Sequence, residues 1–179
     1  MQGLTLPETR ASRAIDAVLG RIGRAASWLW VVLLAVIVSN VALRYVFGEG
    51  RIEFEELQWH LNSVAFLVAI AYAYQVDAHI RIDLVSSRLH PRAQVWIELY
   101  GTLLLTLPFI VVVLVFAMPF VAHSWSVSEI SPSPGGLPFR WFLKGVLPGA
   151  FLMLLLATLS RLSRLWAYLA APRSEVGGA

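Results

Sequence analysis

Residues 99–122 read LYGTLLLTLPFIVVVLVFAMPFVA, twenty-four positions from Leu99 to Ala122 without one charged side chain. A bilayer's hydrocarbon core is about 30 Å thick, and a helix needs roughly 20 residues to cross it. This stretch therefore reads as a membrane span. Pro108 and Pro119 lie inside it. Proline is tolerated in such a helix where neighbours re-satisfy the freed carbonyls, so bends are expected at both. Outward from this segment, three more stretches qualify. Ala25 to Leu43 is uncharged, Phe54 to Tyr74 follows Glu53 and opens with Glu55 and Glu56, and Phe139 to Leu159 carries only Arg140 and Lys144 near its start. The expected fold is an all-α integral membrane protein, a single membrane domain over 1–179. Four transmembrane helices are set at about 25–47, 54–75, 95–122 and 139–160.

Composition agrees. The chain has 179 residues, of which 58% are hydrophobic and 14% charged, against roughly 25% charged in a soluble domain. There is no cysteine, which excludes disulfides, thiolate catalysis, zinc–thiolate sites and iron–sulfur clusters. The pI of 9.7 does not indicate nucleic acid, because the fourteen Lys and Arg lie between apolar segments and not in a patch. A signal peptide is not expected at the N-terminus: the apolar run is too long and no small-residue cleavage site follows it.

The loops carry the orientation. Arg10, Arg13, Arg21 and Arg24 precede the first span, Arg81, Arg88 and Arg92 lie in the second connection, and Arg161, Arg164 and Arg173 follow the last span. Against these ten stand Arg44, Arg51, Arg140 and Lys144 in the other two connections. The positive-inside rule places both termini in the cytoplasm. In the second connection Ile82, Val85 and Leu89 recur at helical spacing among polar residues. They suggest a short interfacial amphipathic helix over about 80–90, ended by Pro91. Ser131 to Pro138 is a Pro-Gly loop, and 172–179 is expected to be disordered. No internal repeat is evident, so the paired halves of a complete secondary transporter are missing.

Helix two is the most informative element. Glu53, Glu56, His60 and Ser63 share one side, with Glu55 and Asn62 beside them. Charge facing lipid at mid-membrane is costly, so this arc should face protein or water. Two readings follow: an ion or proton pathway through Glu56 and His60, or a polar cluster that pairs with Arg44 or Arg51 and fixes packing. No ionisable residue continues the path across helices three and four, which favours packing. Ala65, Ala69 and Ala73 form a small-residue row suited to close helix contact. Gly145 and Gly149 make a GxxxG around Pro148, readable as a dimerisation face or as a kink with close packing. His60 and His123 near the outer helix ends raise a haem anchor as an alternative, but the inner leaflet offers no second pair. Phosphate loops, nucleophile elbows and zinc-binding helices are absent, and no cofactor or metal is expected.

Two motifs resemble a family. Glu55-Glu56, then Ala69-Ile70-Ala71-Tyr72-Ala73-Tyr74 running into Asp77-Ala78-His79-Ile80-Arg81-Ile82-Asp83-Leu84, is similar to the central signature of the small membrane subunits of tripartite ATP-independent periplasmic (TRAP) transporters. Ser124-Trp125, Glu129, Ser131, Gly135-Gly136-Leu137-Pro138, Arg140-Trp141 and Lys144 resemble the second signature. The chain departs from the pattern at Ala69, where a glycine is usual, and at Gln75-Val76, where basic residues are usual. The resemblance implies a non-enzymatic subunit of the bacterial inner membrane. Its partners would be a large membrane subunit of roughly twelve helices, a periplasmic substrate-binding protein and membrane lipid, with sodium-coupled uptake of organic acids as the shared task. It also makes His79, Arg81 and Asp83 an inner-loop motif, and Glu129, Gly136, Leu137, Pro138 and Lys144 an outer-loop motif. A small autonomous channel or exporter stands as a further alternative.

Overall fold

A computed structural model of the chain describes residues 6–78 and 89–171. The described residues form helices and no strands: α1 (Arg10–Val46), α2 (Ile52–Gln75), α3 (Pro91–Gly101), a π-helical turn (Thr102–Thr106), α4 (Leu107–Ser126) and α5 (Arg140–Ala170). The expected interfacial helix over 80–90 lies outside the described residues except at Leu89 and His90, and so do His79, Arg81, Asp83 and the 172–179 tail.

Three of these helical stretches are long and apolar enough to cross a membrane: Arg10–Val46, Pro91–Ser126 and Arg140–Ala170. Helix α2, at 24 residues, has the length of a span but not the apolar composition of one. The helices also overrun the expected spans. α1 begins fifteen residues before position 25 because Thr9 and Ser12 form a reciprocal capping box: each backbone N–H donates to the other's hydroxyl, at 3.0 and 3.1 Å. α5 continues through Arg161 and Arg164 to Ala170. Pro91 opens α3 at its first turn, where proline's missing N–H costs nothing and its fixed φ suits the helix.

From Pro91 to Ser126 the chain is one helical rod with the π turn inside it. The widened turn sits immediately before Pro108, with Leu107 N–H donating to the Thr102 carbonyl. A proline ring clashes with the carbonyl four residues back, here Leu104, and a wider turn moves that carbonyl away.

α1 and α2 form an antiparallel hairpin. Ser12, Leu19, Leu33 and Asn40 are buried along α1, and half-buried Ala26 completes their seven-residue repeat, the seam of a left-handed helix pair. Gly23 is the point of closest approach: a Cβ there would lie 3.0 Å from Tyr72 Cβ and nearer still to its ring. Helix α5 packs against each of the other helices. Val95 and Leu99 of α3 meet Leu165 and Tyr168, and Ile110 of α4 meets Ala71 and Leu154. Most apolar surface of α1 and α4 faces outward, with only 6% and 11% of their most apolar stretches buried against 33% for α5. That inverts the soluble pattern, as lipid demands.

Candidate functional site

The loop between α4 and α5 is shaped by its own backbone and then fastened to α2. Ser128 takes a left-handed conformation (φ 47°), so that Glu129 N–H returns to the Ser124 carbonyl at 3.0 Å and ends α4. Gly135 turns at φ 79°, and Phe139 at φ 67° redirects the chain into α5. Ser131 N–H donates to the Leu137 carbonyl at 3.3 Å, and Gly136 N–H to the Ser133 carbonyl at 2.9 Å.

Glu56 is the fastener. Its Oε2 accepts the Leu137 N–H at 2.6 Å, and its Oε1 accepts the Ser131 hydroxyl. Gly136 lies directly over this junction: a Cβ there would come 2.9 Å from Glu56 Oε1 and closer to the Ser131 side chain. Only glycine fits. A second carboxylate secures the other side of the loop. Glu129 pairs with Lys144 and, at 3.7 Å, with Arg140. The Lys144 ammonium, then the Ser124 hydroxyl and Arg140, hold the Glu129 carboxyl below its ordinary value. Lys144 Nζ also sits 4.1 Å from the Phe120 ring centroid, and Trp125 and Trp141 meet edge to face at 4.4 Å. Two open grooves flank the junction. One, of about 790 Å³, is walled by apolar residues including Leu29, Leu61 and Phe142, and the other, of about 400 Å³, by Glu55, Glu56, Ser63 and Arg140. His60 lines both, its Nδ1–H donating to the Glu56 carbonyl at 2.7 Å.

The residues of the expected polar cluster thus separate. Glu55 lies 3.7 Å from Arg44, an exposed pair; Arg51 is taken by Glu49 at 3.3 Å; Glu56 binds the loop, and Asn62 is exposed. Ser131, which the sequence reading placed only in the loop and its motif, bonds Glu56, and Arg140, counted there for orientation and as a motif letter, pairs with Glu129. Of the alanine row, Ala65 is buried while Ala69 and Ala73 are half-buried, and the fully buried small residue is Ala71. The glycine that permits close contact between α1 and α2 is Gly23 on α1. Gly149 meets nothing, and a Cβ at Gly145 would only graze Val121 at 3.9 Å, so the GxxxG makes no tight contact within the chain. His123 is exposed in the last turn of α4. The described residues contain no grouping of three or more His, Asp or Glu arranged to hold a metal.

At the opposite end, which holds the start of α1 and the end of α5, a second network ties helices together. Asp16 pairs with Arg164 and accepts the Ser160 hydroxyl at 2.8 Å. Arg161 bridges Glu98 at 2.6 Å and Asp77 at 3.6 Å. In the sequence reading Arg161 and Arg164 served only to set orientation. Their acidic partners stand too far away in the chain for spacing to suggest them.

A helical bundle with an outward apolar surface, a shaped Pro-Gly loop and two ion-pair networks defines a multi-pass membrane protein whose polar groups fasten structure. Residues 33–168 match a family described as "Tripartite ATP-independent periplasmic transporters, DctQ component". The chain belongs to that family, as a transport component and small TRAP membrane subunit. No curated protein matches it.

Proposed function

We propose that this chain is the small permease subunit of a sodium-coupled, binding-protein-dependent TRAP transporter for organic acids in the bacterial inner membrane. It acts as a scaffold for the large membrane subunit and supplies part of the periplasmic docking surface. In this reading α2 is the fourth span despite its polarity, because protein covers it; both termini are cytoplasmic, and the α4–α5 loop faces the periplasm. The observation that carries it is the pair of hydrogen bonds that Glu56 accepts from the Ser131 hydroxyl and the Leu137 N–H. Both oxygens of this acid hold the loop, which is what a scaffold needs and what an ion carrier would have to give up. The haem-anchor and channel alternatives draw no support from the family match.

The deciding experiment is Glu56→Gln in the assembled transporter reconstituted in liposomes. Assembly or binding-protein docking should weaken while sodium coupling stays unchanged. A fully assembled variant with altered sodium or proton stoichiometry would place an ion site here and end the scaffold reading. Orientation has its own test, helped by the cysteine-free sequence. Cysteine at Ser133 should react with a membrane-impermeant thiol reagent in intact cells, and cysteine at Ala11 should not; the reverse pattern inverts the topology.

A further inference from the structure

Helix α2 carries a polar residue where lipid would not accept one. Gly20 approaches Gln75, Gly23 approaches Tyr72, and Gln75 Nε2 donates to the Asp16 carbonyl at 2.8 Å. These contacts set the antiparallel register of α1 and α2. Helices rise equally per residue, so ten residues from Gly23 along α1 and ten back from Tyr72 along α2 arrive at the same depth. Those positions are Leu33 and Asn62. Leu33 is buried and lies next to Leu34, the midpoint of the uncharged run from Ala25 to Leu43. Asn62 is therefore level with the membrane's centre, and it is exposed.

Asn62 belongs to a stripe. Glu55, Trp59, Asn62 and Phe66 follow spacings of four, three and four and share one helix face. Trp59 is 72% exposed and Phe66 56%, and the Glu55 side chain is 49% exposed. Hydrocarbon against this face would leave the Asn62 amide without partners, which a membrane interior strongly disfavours. Water does not suit the two large rings on either side. A protein helix suits both, since amides join helices within bilayers. The polar groove lined by Glu55, Trp59 and Ser63 runs beside the stripe, and exposed Glu53 and Glu55 make its loop end acidic.

We infer that the Glu55–Trp59–Asn62–Phe66 face seats a transmembrane helix of the transporter's large membrane subunit. That helix presents a hydrogen-bonding side chain opposite Asn62 and basic or amide groups opposite Glu53 and Glu55. The inference rests on the subunit reading above and adds where the contact lies.

The test uses the full chain expressed in its own membrane with its transporter partners. A photoreactive benzoylphenylalanine replaces Phe66, and a control replaces Phe116, which is 71% exposed on α4. Irradiation should join the Phe66 probe to the large membrane subunit, identified by mass spectrometry, at several times the yield from Phe116. In parallel, Asn62→Leu should lower recovery of that subunit roughly threefold to twentyfold, with Asn62→Gln restoring much of it. A Phe66 adduct between two copies of this chain would overturn the inference. So would equal yields from Phe66 and Phe116 in an intact complex, or unchanged recovery with Asn62→Leu. If the unaltered chain brings down no second membrane subunit, the subunit reading falls and this inference with it.

Discussion

The two ends of the bundle use similar residues for different purposes. At the end holding the chain's start and finish, Asp16–Arg164 and Glu98–Arg161–Asp77 run from helix to helix. At the other end Glu56 binds a loop's backbone and hydroxyl, and Glu129 holds Lys144 and Arg140. Burial distinguishes them less. Arg161 and Glu98 side chains are 16% and 13% exposed, but Lys144 of the loop end is 19% exposed, and only Arg140, at 41%, stands well open to solvent. The difference lies in what the charges join: helix to helix at one end, loop to helix at the other. The first network should govern whether the bundle holds, and the second what surface it presents.

That division breaks most readily at Arg161. Arg161→Ala removes the guanidinium that joins Glu98 of α3 and Asp77, just past α2, to α5. Removing one partner of a buried pair costs roughly 3–5 kcal/mol, so thermal unfolding in detergent should show a larger loss than any single substitution at the loop end produces. Unchanged unfolding would mean that packing around Leu165 and Val95 suffices, and the contrast between the ends would fail.

A smaller, pH-dependent effect is expected at the loop end. The Lys144 ammonium depresses the Glu129 carboxyl. A depressed carboxylate stabilises above its unfolded-state value and loses that contribution as pH falls through the lower folded value. Amide protection in the loop around Glu129 should therefore hold from neutral pH down past the ordinary carboxylate range and fade only below it. Lys144→Met removes the main depressing group, so the fading should move to higher pH. Hydrogen exchange followed over a pH series reads both, and identical profiles would separate Glu129 ionisation from loop order.

The smallest effect belongs to Arg44. Its side chain and that of Glu55 are 61% and 49% exposed at 3.7 Å, and such pairs contribute about 0–1 kcal/mol. Arg44→Gln should leave unfolding of the isolated chain nearly unchanged with or without added salt. A marked loss would show that this pair contributes more than its exposure allows, and the ranking of the effects would fail.

Hydropathy is local and additive, so the spans around Ala25–Leu43, Leu99–Ala122 and Phe139–Leu159 and the all-helical class were legible from the apolar runs alone, while the family came from a resemblance of residue motifs. The same additivity gave α2 as a fourth span on length, where its polar residues leave it short of one by composition. Boundaries slipped where side chains overruled hydropathy: at the Thr9–Ser12 box, and past Arg161 and Arg164, whose charges are matched by distant acids. Ala65, Ala69 and Ala73 promised a contact face by spacing, and the tight glycine contact with α2 is made by Gly23 against Tyr72, because only the facing helix decides which small residues meet.

What the sequence determined by itself is therefore the elements and their medium, since each follows from the residues within one segment. Tertiary structure decided the partners. Glu56 meets Leu137 across 81 positions, and Asp16 meets Arg164 across 148. It also set Asn62 level with Leu33, which follows from the α1–α2 register and from no property of α2 alone. Such pairings depend on the rotation and offset of packed helices, quantities that no single segment encodes.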